Sequence, residues 1–206
     1  MHISILLFDD VDLLDSGGPY EVFLTANRLA ERNDGQQPFR LDTVTLDGQP
    51  VTAYGGLGLV PTAGREVLEH TDLLIVPGAV ELAGVLADTD LLDAIDSVAK
   101  RATSSVASVC TGAFLLHEVG LLADRPWTTH WEDIDLLAEK AGDEGARRHV
   151  RWVDAGPVVT GGALSSGIAM ALHLVERFAS RDLAEQTANQ IDYVWTDEAR
   201  GRPLGY

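Results

Sequence analysis

The chain has 206 residues, 46% of them hydrophobic, and a formal charge of −17 from 20 Asp and 12 Glu against 13 Arg and two lysines, Lys100 and Lys140. That length fits one domain with a sizeable core, expected over residues 1–206. The charge repels phosphate, so neither a nucleic-acid partner nor a basic stripe is expected, no apolar run approaches the ~20 residues of a membrane span, and one cysteine excludes an intramolecular disulfide.

Ile3 to Phe8 reads as the first strand, followed by a loop from Asp9 to Gly18 and a helix that Pro19 opens and that continues to about Arg32. Phe39 to Thr45 alternates as a half-buried strand, and Gly48-Gln49-Pro50 with Tyr54-Gly55-Gly56 punctuates a hairpin-like excursion. Leu73-Leu74-Ile75-Val76 is a fully apolar strand ending at Pro77-Gly78-Ala79, Asp90 to Arg101 a helix, and Val106 to Val109 a strand that runs into Cys110. Thr111 to Val119 and Trp131 to Ala141 follow as helices, then Val150 to Val153 and Pro157 to Thr160 as short paired strands. Gly161-Gly162 leads into a helix with a small-residue start, Ala163 to Glu176, and Leu183 to Val194 closes the pattern. Strand-length runs alternating with helix-length stretches predict an α/β fold, a mostly parallel sheet covered by helices on both faces. In such a sheet the ligand site lies beyond the carboxyl ends of the strands, where Pro77-Gly78 and Cys110 fall.

Met1 to Asp10 lacks the basic start and long apolar core of a signal peptide, and a cytoplasmic protein is expected. An acidic, lysine-poor composition suits a concentrated-salt cytoplasm, where screening removes self-repulsion. An ordinary acidic protein from a GC-rich genome would share it.

Cys110 stands where a β-branched run meets a helix-forming run, the position of a strand-to-helix elbow. Unpaired N–H groups and the positive end of a helix dipole there favour a thiolate. The competing reading is a small buried hydrophobe. Candidate proton-controlling partners near strand ends are Asp15, Glu21 and His130; beside a thiolate, Asp15 would be pushed towards its protonated form and could donate to sulfur. His130 is equally readable as a packed loop histidine. No histidine pair has metal-ligand spacing with the cysteine, so no metal is expected, and Gly161 lacks the spacing and lysine of a phosphate loop.

Phe8 through Asp15, Gly18-Pro19-Tyr20-Glu21-Val22-Phe23, Val76-Pro77-Gly78, Ser108-Val109-Cys110-Thr111-Gly112-Ala113, Gly120-Leu121-Leu122, Thr128-Thr129-His130-Trp131 and Thr160-Gly161-Gly162 through Glu176 together resemble the ThiJ/PfpI superfamily over almost the entire length. Val-Cys-Thr-Gly with Thr-Thr-His-Trp is most similar to its isonitrile hydratases and to the ligand-like domain fused to AraC-type regulators; the protease-annotated branch has His where this chain has Thr111. The resemblance implies a flavodoxin-like core with a cysteine nucleophile elbow, Cys110 as nucleophile, Asp15 as proton donor, and Thr111 contributing its N–H and hydroxyl. Gly78 and Ala79 would complete an oxyanion or ligand-nitrogen pocket, with Glu21 and His130 beside the substrate. Two positions depart from the pattern: Ala79 replaces the second of two glycines, and Gly17 stands where hydratases usually carry Thr.

The implied activity is a cofactor-free lyase that hydrates an isonitrile, a small-molecule substrate, to an N-substituted formamide, in a homodimer. Two alternatives share the same residues: glyoxalase-like or deglycase activity on small α-oxoaldehydes, and a redox or small-molecule sensor whose cysteine oxidises. Against a regulator, no DNA-binding module is expected before the chain's end at Tyr206.

Overall fold

The first strand, β1 (His2–Leu6), is buried along its whole length, as a strand covered by helices on both faces must be. The structure, a computed structural model, describes residues 1–196. After β1 come α1 (Leu13–Asp34), β2 (Arg40–Val44), a hairpin of β3 (Val51–Thr52) and β4 (Gly58–Leu59), β5 (Leu73–Val76), α2 (Leu82–Leu86), α3 (Thr89–Ala99), β6 (Ser105–Ser108) and α4 (Gly112–Glu118). Then follow α5 (Ile134–Ala141), β7 (Trp152–Asp154), β8 (Val158–Gly161), α6 (Ser166–Phe178) and α7 (Arg181–Gln190). The main sheet has the order β2-β1-β5-β6-β8-β7; every neighbouring pair is parallel except β7 with β8. This is the expected α/β arrangement with a flavodoxin-like strand order.

Strand residues alternate between two apolar layers. Ile3, Ile5, Leu73, Ile75, Ala107 and Val159 face Val22 and Phe23 of α1, Leu172 of α6 and Leu183 of α7. Leu6, Leu74, Val76, Val106 and Val158 face Leu91 and Ile95 of α3, Phe114 of α4 and Leu137 of α5. The period of two puts successive side chains on opposite faces, and each fully buried Leu, Ile or Phe contributes roughly 1.5–3 kcal/mol.

The clearest departures from the sequence-based expectation are α1, α2 and a 3₁₀ segment. The helix expected to open at Pro19 begins at Leu13, because Asp12 caps it by accepting the Leu14 N–H at 3.0 Å. Pro19 therefore sits inside α1, where it removes one helical bond, the one to the Asp15 carbonyl. Asp15 consequently lies in the first helical turn rather than in a loop. The short helix α2 and a 3₁₀ segment at Arg65–His70 carry too little periodicity to be read from sequence.

Helix α4 approaches the sheet at Gly112, where a Cβ would overlap the Val76 carbonyl oxygen and lie 2.9 Å from that of Pro77. Neither backbone atom can move without breaking the β5–β6 register. Gly112→Ala is expected to destabilise the protein by about 3 kcal/mol, a fall in melting temperature of roughly 6–12 °C for a chain of this size. A thermal melt matching the parent within 2 °C would refute the close approach.

Candidate functional site

Asp15 follows β1, Gly78 follows β5 and Cys110 follows β6. All three stand at the carboxyl end of the sheet, and β1 and β5 flank the point where strand order reverses. Cys110 has φ 55°, in the left-handed region that costs an L-residue roughly 1–2 kcal/mol. Three contacts hold it there. Its N–H donates to the carbonyls of Gly162 at 2.9 Å and Gly161 at 3.2 Å, and its own carbonyl accepts from the Thr129 hydroxyl at 2.8 Å. Thr129 thus fixes the cysteine backbone, a role for which the sequence had supplied only the Thr-Thr-His-Trp motif.

Asp15 is fully buried. Its Oδ2 accepts the Gly78 N–H at 3.0 Å, while Oδ1 has no hydrogen-bond partner. Burial, assisted by the nearby Asp12 charge, pushes the carboxyl up to about 7, against the lowering effect of the Gly78 N–H and the Cys110 thiol. The thiol itself is raised well above its ordinary value, first by burial and then by the Asp15 charge. Backbone N–H groups of Thr111 and Leu164 act in the opposite direction without prevailing. Helix α4 spans only seven residues, and burial beside the Asp15 carboxyl opposes the thiolate that its N-terminus favours. Leu164, in the turn before α6, is a donor that no sequence signal indicated, because a backbone N–H looks alike at every residue.

The expected pocket donors are rearranged as well. The Gly78 N–H is engaged by Asp15, and the Ala79 N–H by Thr111 Oγ1 at 3.0 Å, whose hydroxyl in turn donates to the Ala79 carbonyl at 2.8 Å. Gly78 and Ala79 therefore orient Asp15 and Thr111, and the groups facing sulfur are the N–H of Thr111 and of Leu164. A Cβ at residue 78 would overlap Thr111 Oγ1 and lie 2.9 Å from Asp15 Oδ2, so glycine is required there. At Gly17 a Cβ would meet nothing within 4 Å, so Thr would fit at that position.

Glu21 stands apart. It lies six residues beyond Asp15, about 120° away around the helix, exposed, with Oε1 accepting from Thr25 Oγ1 at 2.9 Å. His130 is largely buried; its Nδ1 accepts the Glu132 N–H at 3.3 Å and lies 3.4 Å from Asp133 Oδ2, and its ring packs on Trp131. Its polar contacts are with Glu132 and Asp133 of its own turn rather than with Cys110. A cleft of about 500 Å³ is lined by Thr129, Trp131, Ile134, Arg148, Arg151 and Gly162 among others; Cys110 is not in its lining, but Thr129 and Gly162, which hydrogen-bond the Cys110 backbone, are. Among the described residues no group of three or more His, Cys, Asp or Glu could hold a metal ion, and no helix is long and apolar enough to cross a membrane.

The chain is similar over nearly its full length to characterised proteins. It is 36% identical over 193 residues to the isonitrile hydratase of Pseudomonas putida, covering 94% of this chain and 78% of that enzyme. It is 26% identical over 191 residues to the HTH-type transcriptional regulator GbdR of Pseudomonas aeruginosa, covering 93% of this chain but only 50% of the regulator. The fold superposes on a crystal structure of a ThiJ/PfpI family protein from Pseudomonas syringae with a TM-score of 0.80 at 24% identity, over 100% of this chain and 78% of that one. The profile of the DJ-1/PfpI family matches residues 1–177, and with the buried Asp15 and Cys110 at the carboxyl end of a flavodoxin-like sheet, the chain belongs to that family.

Proposed function

We propose that the protein is a cysteine-dependent hydratase that converts an isonitrile to an N-substituted formamide. The observation that carries this reading is the buried, half-partnered Asp15 carboxyl coupled to Cys110, a pair that holds a movable proton near neutral pH; the 36% identity to an isonitrile hydratase supports the substrate class. Asp15 takes the thiol proton as sulfur bonds to the terminal isonitrile carbon, then delivers that proton to the same carbon, leaving a thioimidate on Cys110. Water adds to the thioimidate carbon and one of its protons passes to nitrogen. Sulfur departs, recovers a proton through Asp15, and the formamide leaves. The Thr111 and Leu164 N–H groups stabilise the charge that sulfur carries at each end of the cycle.

The test is product analysis after incubation with an aryl isonitrile and, separately, methylglyoxal, beside Cys110→Ala. Formamide made only by the parent protein is expected. Lactate alone would replace the reaction with a glyoxalase-like one, and no product from either substrate would remove the enzymatic reading. The pH profile supplies an independent check. Below about 7 both members of the pair are protonated and no base remains; above it one proton is shared. Accordingly kcat/KM rises through pH ~7 and shows no second rise near the ordinary thiol value of 9.0.

A further inference from the structure

Contrary to the expected surface without a basic stripe, Arg147-Arg148-His149-Val150-Arg151 places four basic residues in five positions of a chain with 32 acids and 15 Lys and Arg. Two of them, Arg148 and Arg151, line the cleft that also contains Thr129 and Gly162, the residues bonded to the Cys110 backbone. They are not equivalent. Arg148 is neutralised by Asp135 and Asp143, at 2.6 and 2.7 Å, and Asp135 itself lines the cleft. Arg151 has no carboxylate partner among the described residues: Nη1 donates to the Tyr193 hydroxyl at 2.6 Å, the guanidinium lies 5.8 Å from the Tyr193 ring centroid, and Nε and Nη2 carry no hydrogen bond. In a chain with twice as many acids as bases, a half-buried arginine left with unused donors on a cleft wall offers a fork that matches a carboxylate.

Its position relative to the sulfur is set by the backbone. The Arg151 carbonyl accepts the Gly162 N–H at 2.8 Å, and the Gly162 carbonyl accepts the Cys110 N–H at 2.9 Å. The same cleft is lined by the half-exposed Trp131 and by Ile134, an apolar surface suited to a ring or alkyl body. We infer that the cleft takes a small molecule with an apolar or aromatic body and a carboxylate at the end remote from the reacting group, the carboxylate being bound by Arg151. This ligand class rests on the reading above that Cys110 is the reacting centre. The overall negative charge does not oppose it at short range, since repulsion from distant carboxylates is screened beyond about 8 Å at physiological salt.

Calorimetric titration with 4-formamidobenzoate and its neutral analogue 4-formamidobenzamide tests the assignment without requiring turnover. The acid is expected to bind at least about tenfold more tightly than the amide, to lose that preference in Arg151→Gln and to keep most of it in Arg151→Lys. Equal binding of acid and amide by the parent protein, or an acid preference that survives Arg151→Gln in a variant with unchanged circular dichroism, overturns the proposal. Arg151-dependent acid binding without hydration of 4-isocyanobenzoate or phenyl isonitrile supports the ligand class while removing the hydratase reading. Hydration of both isonitriles with equal kcat/KM does the reverse.

Discussion

Cys110→Ser is expected to lower hydration of an aryl isonitrile by at least about 1000-fold, and Cys110→Ala to abolish it. A serine hydroxyl is a much weaker nucleophile than sulfur, and Asp15, near 7, is too weak a base to ionise it. Both variants should fold. Cys110 is held by its own N–H and carbonyl, through Gly161, Gly162 and Thr129, and none of those bonds uses the sulfur. The left-handed φ of 55° is strained for Cys, Ser and Ala alike, so the exchange adds little backbone cost. The decisive reading is formamide production at matched folded concentration. Turnover within tenfold of the parent would remove Cys110 from the chemistry.

Asp15→Asn is expected to move activity and stability in opposite directions. Loss of the shared proton should reduce kcat/KM by about 1000-fold, within the usual range for a positioned acid–base group. The stability effect follows from the raised carboxyl. Below its unfolded value of 3.8 Asp15 is protonated in both states and has no influence. Between 3.8 and about 7 the unfolded chain releases the proton while the folded protein retains it, so each pH unit removes about 1.4 kcal/mol from the fold. Above about 7 the loss is complete, on the order of 4 kcal/mol. Asparagine avoids that buried charge but leaves amide hydrogens to satisfy, which offsets about 2 kcal/mol of the gain. The variant should melt roughly 4–8 °C above the parent at pH 8 and roughly 4–8 °C below it at pH 4, where the raised carboxyl takes little from the parent's stability and the cost of the amide hydrogens stands nearly alone. A variant that melts below the parent at pH 8 would show that the carboxylate is welcome in its site, and the proton-holding role of Asp15 would fall with it.

The amino-acid sequence alone determined the architecture. Apolar runs such as Leu73–Val76, which is β5 residue for residue, and the small β-branched run before Cys110 specify strands buried on both faces, because the alternation of neighbouring side chains is a local property of the backbone. Asp15, Gly78 and Cys110 could be assigned to one end of the sheet for the same reason. Of their chemistry, only the upward push on the Asp15 carboxyl could be anticipated. The protonation of Asp15 and Cys110 depends on burial and on a carboxyl and a thiol 95 positions apart in the chain. The engagement of the Gly78 and Ala79 N–H groups depends on Asp15 and Thr111, from two other segments. Glu21 lies outward because the capping of α1 by Asp12 sets the phase of the helix, which Pro19 conceals in the sequence. Leu164 joins the site from a turn with no distinctive pattern of residues, and Thr129 through a backbone contact that its motif does not reveal. Periodicity along the chain decides which surfaces meet, whereas charge state and donor direction are decided only by the distances and the dielectric that the meeting creates.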